Sequence, residues 1–350
     1  MKKNLILLLV LLVLSGVAYY LATQDKKSTL AANPMSNFTI DDTSAVTKIF
    51  IADKVTGTAL LTKDESTGHW MINEKYRAKG HAVDLLLKAF NDITVRGTVP
   101  TNMKKTVIAN AAGTGKKIEI YTDDPDVPEK IWISAGNTQD HHGDFFILEI
   151  PGEGISPDPF IVDMPLFGGY LTARFFTMEN DWRYSGVFNY SDLDFKEITV
   201  KETSNPDQAF TIKWDGERVT DIFNPITGEK VSKMDTLITQ DYLIRYKKIH
   251  LETYDTHLEQ NQIDSVLQRT PDWNLEVTEP DGTVNAMDLF YLPGNDRYTD
   301  FNGNYLPYNQ DIMYGTRRNG KLVRCQYEPV FMKLMVGLDY FKLNSFSGGQ

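Results

Sequence analysis

Alternation of apolar and polar residues predicts that this chain folds mainly as short β-strands. In the first half, the alternating runs are separated by turn-forming Asp, Gly and Asn residues. Val83, Leu86, Leu87 and Phe90 instead recur at helical spacing, which predicts an amphipathic helix over 82–93. A weaker helix is predicted over 103–112. The strands of this half are predicted at 46–52, 58–62, 69–72, 94–95, 117–121, 130–135, 145–148 and 160–162.

The second half of the chain repeats this order of elements. Its helices are predicted at 234–246 and 263–267, the first with its apolar residues at Leu237, Tyr242, Leu243 and Tyr246. Its strands are predicted at 195–200, 210–214, 219–223, 274–278, 287–291, 311–314 and 322–327. Connections of hairpin length favour antiparallel sheets with helices on one face. The predicted fold class is α+β: two tandem similar domains of mostly antiparallel sheet with packed helices, preceded by one N-terminal transmembrane or signal helix. Two unrelated α+β domains that share an order of elements are the alternative to duplication.

One apolar run, residues 5–22, would form a helix of roughly 27 Å, which is long enough for a single membrane span. We interpret it as an anchor in the inner membrane, with the amino end cytoplasmic and everything after Thr23 facing the periplasm. A cleaved secretory signal is the alternative, because Gly16 and Ala18 have the small-x-small spacing of a cleavage site. Cleavage would release a periplasmic form.

The predicted organisation follows from these patterns. Residues 1–27 are the membrane anchor or signal segment, and 28–37 are a tether that is small, polar and interrupted by proline. The first α+β repeat is predicted at 38–165 and the second at 189–350, with an aromatic joining segment at 166–188.

Composition limits the classes of partner. The formal net charge is -11, which argues against nucleic acid and against an anionic lipid surface, because phosphate binding needs clustered Lys and Arg. A single cysteine, Cys325, excludes intramolecular disulfides. It lies in an alternating apolar run, so we expect an unreactive thiol within a strand.

Motifs that carry catalysis or bind cofactors are missing from the sequence. Residues 113–116, Gly-Thr-Gly-Lys, resemble the end of a phosphate-binding loop, but a helix precedes them and a strand follows, the reverse of what that loop requires. We therefore predict no catalytic residue, no cofactor and no nucleotide.

Metal binding remains open. Residues 140–144, Asp-His-His-Gly-Asp, have competent ligand types at poor spacing and are interpreted as a hairpin turn. Four oxygen-bearing residues resemble the ligands of a calcium-binding loop in their spacing, although only loosely: Asp296, Asp300, Asn302 and Asn304. No glutamate follows them to complete such a loop.

Aromatic residues supply two further candidates. The rings near turns could stack on sugars or anchor a protein partner, although such rings more often support a small β-rich core: Tyr291, Tyr298, Tyr305, Tyr308 and Tyr314. The joining segment is too aromatic for a free linker, and we expect it to pack the two repeats together, with partner docking as the alternative. Its candidate residues for an interdomain or partner surface are Phe167, Tyr170, Arg174, Trp182 and Arg183.

Five stretches together resemble the bacterial domain-of-unknown-function family numbered 4340, in the form found in Bacteroidetes. They are 1–10 (MKKNLILLLV), 46–53 (VTKIFIAD), 70–73 (WMIN), 167–176 (FGGYLTARFF) and 181–183 (DWR). The resemblance covers almost the whole chain. It implies a membrane-anchored envelope protein that accompanies transporters of the ABC type related to gliding-motility systems, and it transfers no catalytic residue.

Two classes of function are compatible with the sequence. The first is a non-enzymatic binding or assembly module, tethered to the inner membrane and presenting its domains to an envelope or inner-membrane protein partner. The second is an envelope enzyme or glycan-binding protein whose site is assembled from scattered residues. The missing catalytic motifs favour the first.

Overall fold

The computed structural model describes residues 15, 34–140, 143–294, 297–317 and 320–343. Within these ranges, no helix has the length and apolar character that a membrane crossing requires. The predicted anchor at 5–22 lies outside them except for Ser15. The chain divides into two compact units, Met1–Arg183 and Tyr184–Gln350.

The first unit is an antiparallel sheet with helices on both faces. Its strands occur in the order β4-β3-β2-β1-β6-β7-β8-β10-β5, and β9 pairs with β8. Its elements are β1 Lys48–Asp53, β2 Gly57–Lys63, β3 Trp70–Ile72, β4 Tyr76–Arg77, α1 Gly80–Asp92, β5 Thr94–Thr98, α2 Thr101–Thr114, β6 Lys117–Tyr121, β7 Lys130–Asn137, β8 Asp144–Ile150, β9 Gly154–Ile155, β10 Phe160–Asp163 and α3 Glu179–Trp182.

The main core of the first unit lies between α1 and one face of the sheet. The predicted spacing of α1 is confirmed, because Val83, Leu86 and Phe90 are completely buried. Phe90 meets Trp132 of β7 edge to face, with ring centroids 5.1 Å apart. Buried aromatic side chains of this size supply most of the apolar area that stabilises a domain core.

The second unit is also an antiparallel sheet, with strand order β14-β13-β12-β16-β17-β18-β19, and a separate pair is formed by β11 and β15. Its elements are β11 Gly186–Phe188, β12 Glu197–Glu202, β13 Phe210–Trp214, β14 Val219–Phe223, α4 Thr236–Ile244, β15 Ile249–His250, α5 Gln260–Leu267, β16 Trp273–Thr278, β17 Val284–Phe290, β18 Ile312–Arg317 and β19 Leu322–Gln326.

Each sheet has apolar side chains on both faces. Successive residues of a strand point to opposite faces. In β17, Leu289 joins the main core beside α4, whereas Phe290 joins a smaller cluster beside α5. In β8, Phe146 belongs to the main core beside α1 and Phe145 to a smaller cluster beside α2. The α+β class with mostly antiparallel strands is therefore confirmed, but the expectation of helices on one face alone was wrong.

Several predicted element boundaries also differ from the structure, among them those of the helix predicted over 234–246 and of the strand predicted over 322–327. The helix predicted at 234–246 begins at Thr236 because Asp235 caps it, accepting hydrogen bonds from the backbone N–H of Leu237 at 3.0 Å and of Ile238 at 3.1 Å. Leu237, assigned to its apolar face, is exposed. The strand predicted to reach 327 ends at Gln326, and Tyr327–Phe331 forms a π-helical turn.

Candidate functional site

The candidate site lies in the second unit, where α5 covers one face of the sheet incompletely. α5 begins after Glu259, whose backbone N–H donates to the side chain of Gln262 at 3.0 Å. None of its residues is completely buried. In the first unit, α2 packs at the corresponding place in chain order and buries Val107 and Ala111. The looser packing of α5 leaves an open groove between the helix and the sheet.

The groove has a volume of about 490 Å³, within the usual range for ligand pockets. Its apolar floor contains side chains of the helix, of the sheet and of the chain that leaves β17, and polar side chains of α5 form its rim. The lining residues are Leu258, Asn261, Gln262, Ser265, Val266, Arg269, Leu292, Pro293 and Tyr314.

Tyr314 lines the groove and carries a hydroxyl group. It is 7% exposed, and its hydroxyl makes no hydrogen bond to any residue that the structure describes. Burial raises the pKa of Tyr314, and the positive charge of Arg324 opposes this effect. The hydroxyl is therefore available to donate a hydrogen bond to an acceptor that enters the groove.

Arg269 lies at the end of the groove, just after α5. Its guanidinium donates to the carbonyl of Tyr291 at 3.4 Å and to the carboxylate of Asp272 at 3.4 Å. Both distances are long for N–H···O hydrogen bonds. Arg269 is half exposed, so its remaining donors can reach a ligand.

A hairpin that we call the aromatic arm, residues 297–309, projects beside the groove. It belongs to the long connection between β17 and β18, whereas the connection between β7 and β8 in the first unit covers only 138–143. Backbone bridges join Pro293 to Tyr308 and Thr299 to Tyr305. Connections longer than about 12–15 residues that contain no helix or strand are uncommon within compact domains, and many of them are functional.

Aromatic packing fixes the base of the arm. Tyr308 stacks on Tyr291 with ring centroids 3.9 Å apart and an interplanar angle of 10°. The indole N–H of Trp273 donates to the hydroxyl of Tyr291 at 3.0 Å, and Tyr327 contacts the same ring edge to face at 5.5 Å. Burial raises the pKa of Tyr291.

The tip of the arm exposes two aromatic rings. Phe301 is fully exposed and Tyr305 is 71% exposed. The carboxylate of Asp300 accepts hydrogen bonds from the backbone N–H of Asn302 and of Asn304, both at 2.8 Å, and from the side-chain amide of Asn304 at 2.9 Å. These bonds, led by that of the Asn304 side chain, lower the pKa of Asp300.

The calcium and zinc candidates gain no support from this geometry. The carboxylate oxygens of Asp300 serve the turn itself, and Asp296 lies outside the described residues, as do His141 and His142. In the part of the chain that the structure describes, no group of three or more His, Cys, Asp or Glu is placed to hold a metal ion.

Asp144, the last residue of the histidine motif, is completely buried. Its carboxylate accepts hydrogen bonds from the backbone N–H of Leu171 at 2.7 Å and from the hydroxyl of Thr172 at 2.9 Å. Burial raises the pKa of Asp144, and these hydrogen bonds oppose the shift. Asp144 therefore fastens the joining segment to β8.

Three of the joining-segment candidates lie at the surface of the first unit. The guanidinium of Arg174 covers the ring of Phe167 at 4.4 Å and donates to the carbonyl of Leu85 at 2.7 Å. The hydroxyl of Tyr170 donates to the carbonyl of Thr138 at 3.3 Å. These side chains therefore bind neighbouring parts of their own unit.

The other two candidates are held more deeply. Trp182 is completely buried in the core of the first unit, stacks on Phe176 at 4.0 Å and donates its indole N–H to the Phe176 carbonyl at 2.9 Å. The guanidinium of Arg183 covers the ring of Tyr76 at 3.7 Å. After Tyr184 the segment changes unit, and Phe188 is buried in the core of the second unit.

The tyrosines of the arm were recognisable in the sequence, but the groove was not. Tyr308 stacks on Tyr291, and Tyr314 lies opposite Phe290 because β17 pairs with β18. The exposed ring at the tip, Phe301, was not singled out. Two signals were present: the length of the connection between these strands, and the weak apolar pattern of α5. Neither reveals where the helix lies above the sheet.

Comparisons with known proteins add little to this description. No protein-family model matches the chain, and no curated protein matches it. A solved structure of an outer membrane lipoprotein-sorting protein domain from Vibrio parahaemolyticus aligns over 80% of this chain and 80% of that chain, at 8% identity and a TM-score of 0.13. A TM-score this low supports no argument about fold or function.

Proposed function

We propose that this protein is a non-enzymatic binding or assembly module of the bacterial envelope. Residues 1–27 anchor it in the inner membrane, and its body faces the periplasm and binds an envelope or inner-membrane protein. We also propose that it belongs to the domain-of-unknown-function family numbered 4340 and serves as an accessory to an ABC-type transporter or gliding-related system. The apolar run at 5–22 and the sequence resemblance support these two proposals.

We further propose that residues 38–165 and 189–350 are two similar domains. The strand orders support this proposal. In one sheet β1 lies between its hairpin partner β2 and the returning strand β6, and in the other β12 lies between β13 and β16. In both units, two helices lie in the chain between the hairpin and the returning strand, and the first helix packs on the main core.

The aromatic arm is the observation that carries the binding function. Its tip exposes Phe301 and Tyr305, while the stack of Tyr308 on Tyr291 holds its base. Exposed aromatic rings on a fixed support are typical of residues that anchor protein partners, because they bury a large area with little loss of side-chain entropy. A partner contact explains why these rings point into solvent.

A quantitative crosslinking pull-down from native membranes tests this function. We compare the wild-type protein with Phe301→Asp, and with Val55→Asp as the matched control, since Val55 is 84% exposed in a turn of the first unit. We expect Phe301→Asp to remove a specific crosslinked protein that Val55→Asp retains. Identical partner profiles for all three proteins would contradict the proposal. Protease added to spheroplasts should remove the body, and full protection would contradict the topology.

A further inference from the structure

We propose that the groove beside α5 binds an extended segment of a partner protein that carries a large apolar side chain and an acidic residue. This inference rests on the proposed binding function and specifies the chemistry that the second unit recognises. The apolar side chain enters between α5 and the sheet, and the acidic residue meets Arg269.

Incomplete packing of α5 determines the apolar part of the ligand. Val266 and Leu292 line the groove and are only partly buried against the cluster that contains Phe290 and Leu322. At the same place in chain order, α2 buries Val107 and Ala111 in a cluster with Phe145 of β8. A large apolar side chain in the groove would cover the apolar surface that α5 leaves accessible.

The hydrogen-bond donors on the rim of the groove favour a ligand with a peptide backbone. The side-chain oxygen of Asn261 accepts from the backbone N–H of Gln262 at 2.9 Å, and that of Gln262 accepts from Glu259. Both amide nitrogens, together with the hydroxyls of Ser265 and Tyr314, therefore remain as donors. Peptide carbonyls are the matching acceptors.

The positive charge of Arg269 favours a ligand that carries an acidic residue. Among the described residues that line the groove, Arg269 is the one charged side chain, whereas the chain as a whole carries a formal net charge of -11. The hydrogen bonds of Arg269 to Asp272 and Tyr291 are long, so a ligand carboxylate can compete for its donors. Opposite charge at the edge of an interface selects partners and speeds association.

Other ligand classes fit less well. An acyl chain offers no acceptor to the hydroxyl of Tyr314 and no negative charge to Arg269. A sugar would place hydroxyl groups against Leu258, Val266 and Leu292. A peptide satisfies both the apolar floor and the polar rim.

Selection from a phage-displayed random heptapeptide library on the full-length protein in detergent micelles tests the inference. Ser265→Trp fills the groove, and Asp264→Trp is the matched control at an exposed neighbouring position that does not line it. We expect enriched peptides to combine acidic and large apolar residues. Their affinity should fall by about tenfold or more in Ser265→Trp and in Arg269→Gln, and should be unchanged in Asp264→Trp.

Several outcomes would overturn the inference: no enrichment over the Ser265→Trp protein, equal binding to both tryptophan variants, or selection of basic peptides. A glycan array signal that Ser265→Trp removes would replace the peptide by a sugar. If Ser265→Trp fails to fold, full affinity of Arg269→Gln still contradicts the inference. The arm provides a separate readout: if the wild-type protein selects no peptide while crosslinks that depend on Phe301 remain, the groove ligand is rejected and the proposed function stands.

Discussion

Tyr308 lies flat on Tyr291, with ring centroids 3.9 Å apart and planes inclined by only 10°. This stack joins the base of the aromatic arm to the end of β17. It also lies beside the groove, because Leu292 and Pro293, the residues that follow Tyr291, line it. The segment that follows β17 therefore belongs both to the base of the aromatic arm and to the wall of the groove.

Tyr308→Ala should loosen the arm without unfolding the second unit. Loss of the aromatic pair should lower the free energy of unfolding by about 0.5–1.5 kcal/mol beyond the lost buried area. We expect faster amide hydrogen exchange at 297–309 and unchanged protection of β12 and β16. Tyr305→Ala is the control, because its ring is exposed and should affect neither quantity. Equal exchange rates in the two variants would show that the stack does not hold the arm.

Trp182→Ala should destabilise the first unit strongly. The indole is completely buried, stacks on Phe176 and donates a hydrogen bond, so truncation leaves both a cavity and an unpaired carbonyl. We expect a loss of about 3–5 kcal/mol in urea unfolding. Leu166→Ala removes a fully exposed side chain and should leave the midpoint unchanged. A change below about 1 kcal/mol for Trp182→Ala would contradict its assignment to the core.

Asp144 should make the stability of the first unit depend on pH. Because burial raises its pKa, the folded state binds its proton more readily than the unfolded state does. Stability should therefore increase as the pH falls through the raised pKa, and the gain is complete below the unfolded value of about 3.9. Urea unfolding at several pH values, compared with Asp144→Asn, measures this contribution. If the free energy of unfolding changes with pH in the same way in both proteins, Asp144 makes no such contribution.

Cys325 should react only when the second unit opens. The thiol is buried in β19, and this burial raises its pKa, so little thiolate forms and reagents cannot reach it. Labelling with a thiol reagent at pH 8 should be at least about a hundredfold slower in the native protein than in guanidinium chloride. Rapid stoichiometric labelling of the native protein would contradict the structure.

Local sequence patterns predicted which helices and strands form better than they predicted how these elements pack together. The spacing of Val83, Leu86 and Phe90 predicted α1, because a buried helical stripe leaves its period in the sequence. Leu237 was wrongly assigned to the buried face of its helix, because apolar residues also occur singly at exposed positions. The cap at Asp235 offered a better signal.

The groove could not be predicted, because it depends on how closely α5 approaches the sheet. The apolar residues of α5 suit both a tightly packed helix and one that stands away from the strands. The arm was predicted only in part: its tyrosines were visible, but the stack of Tyr308 on Tyr291 depends on the bridge that joins Pro293 to Tyr308 across the connection. Contacts between residues distant in sequence leave no local period.

Site-specific photo-crosslinking in living cells tests the central claim most directly. A photoreactive phenylalanine analogue at position 301 replaces an exposed ring by a similar one, and the same analogue at Val55 is the control. The account predicts a discrete adduct with one envelope or inner-membrane protein from position 301, absent from position 55 and weakened by Tyr308→Ala. Adducts of equal pattern from both positions, or none from position 301, would contradict a role of the aromatic arm in partner binding.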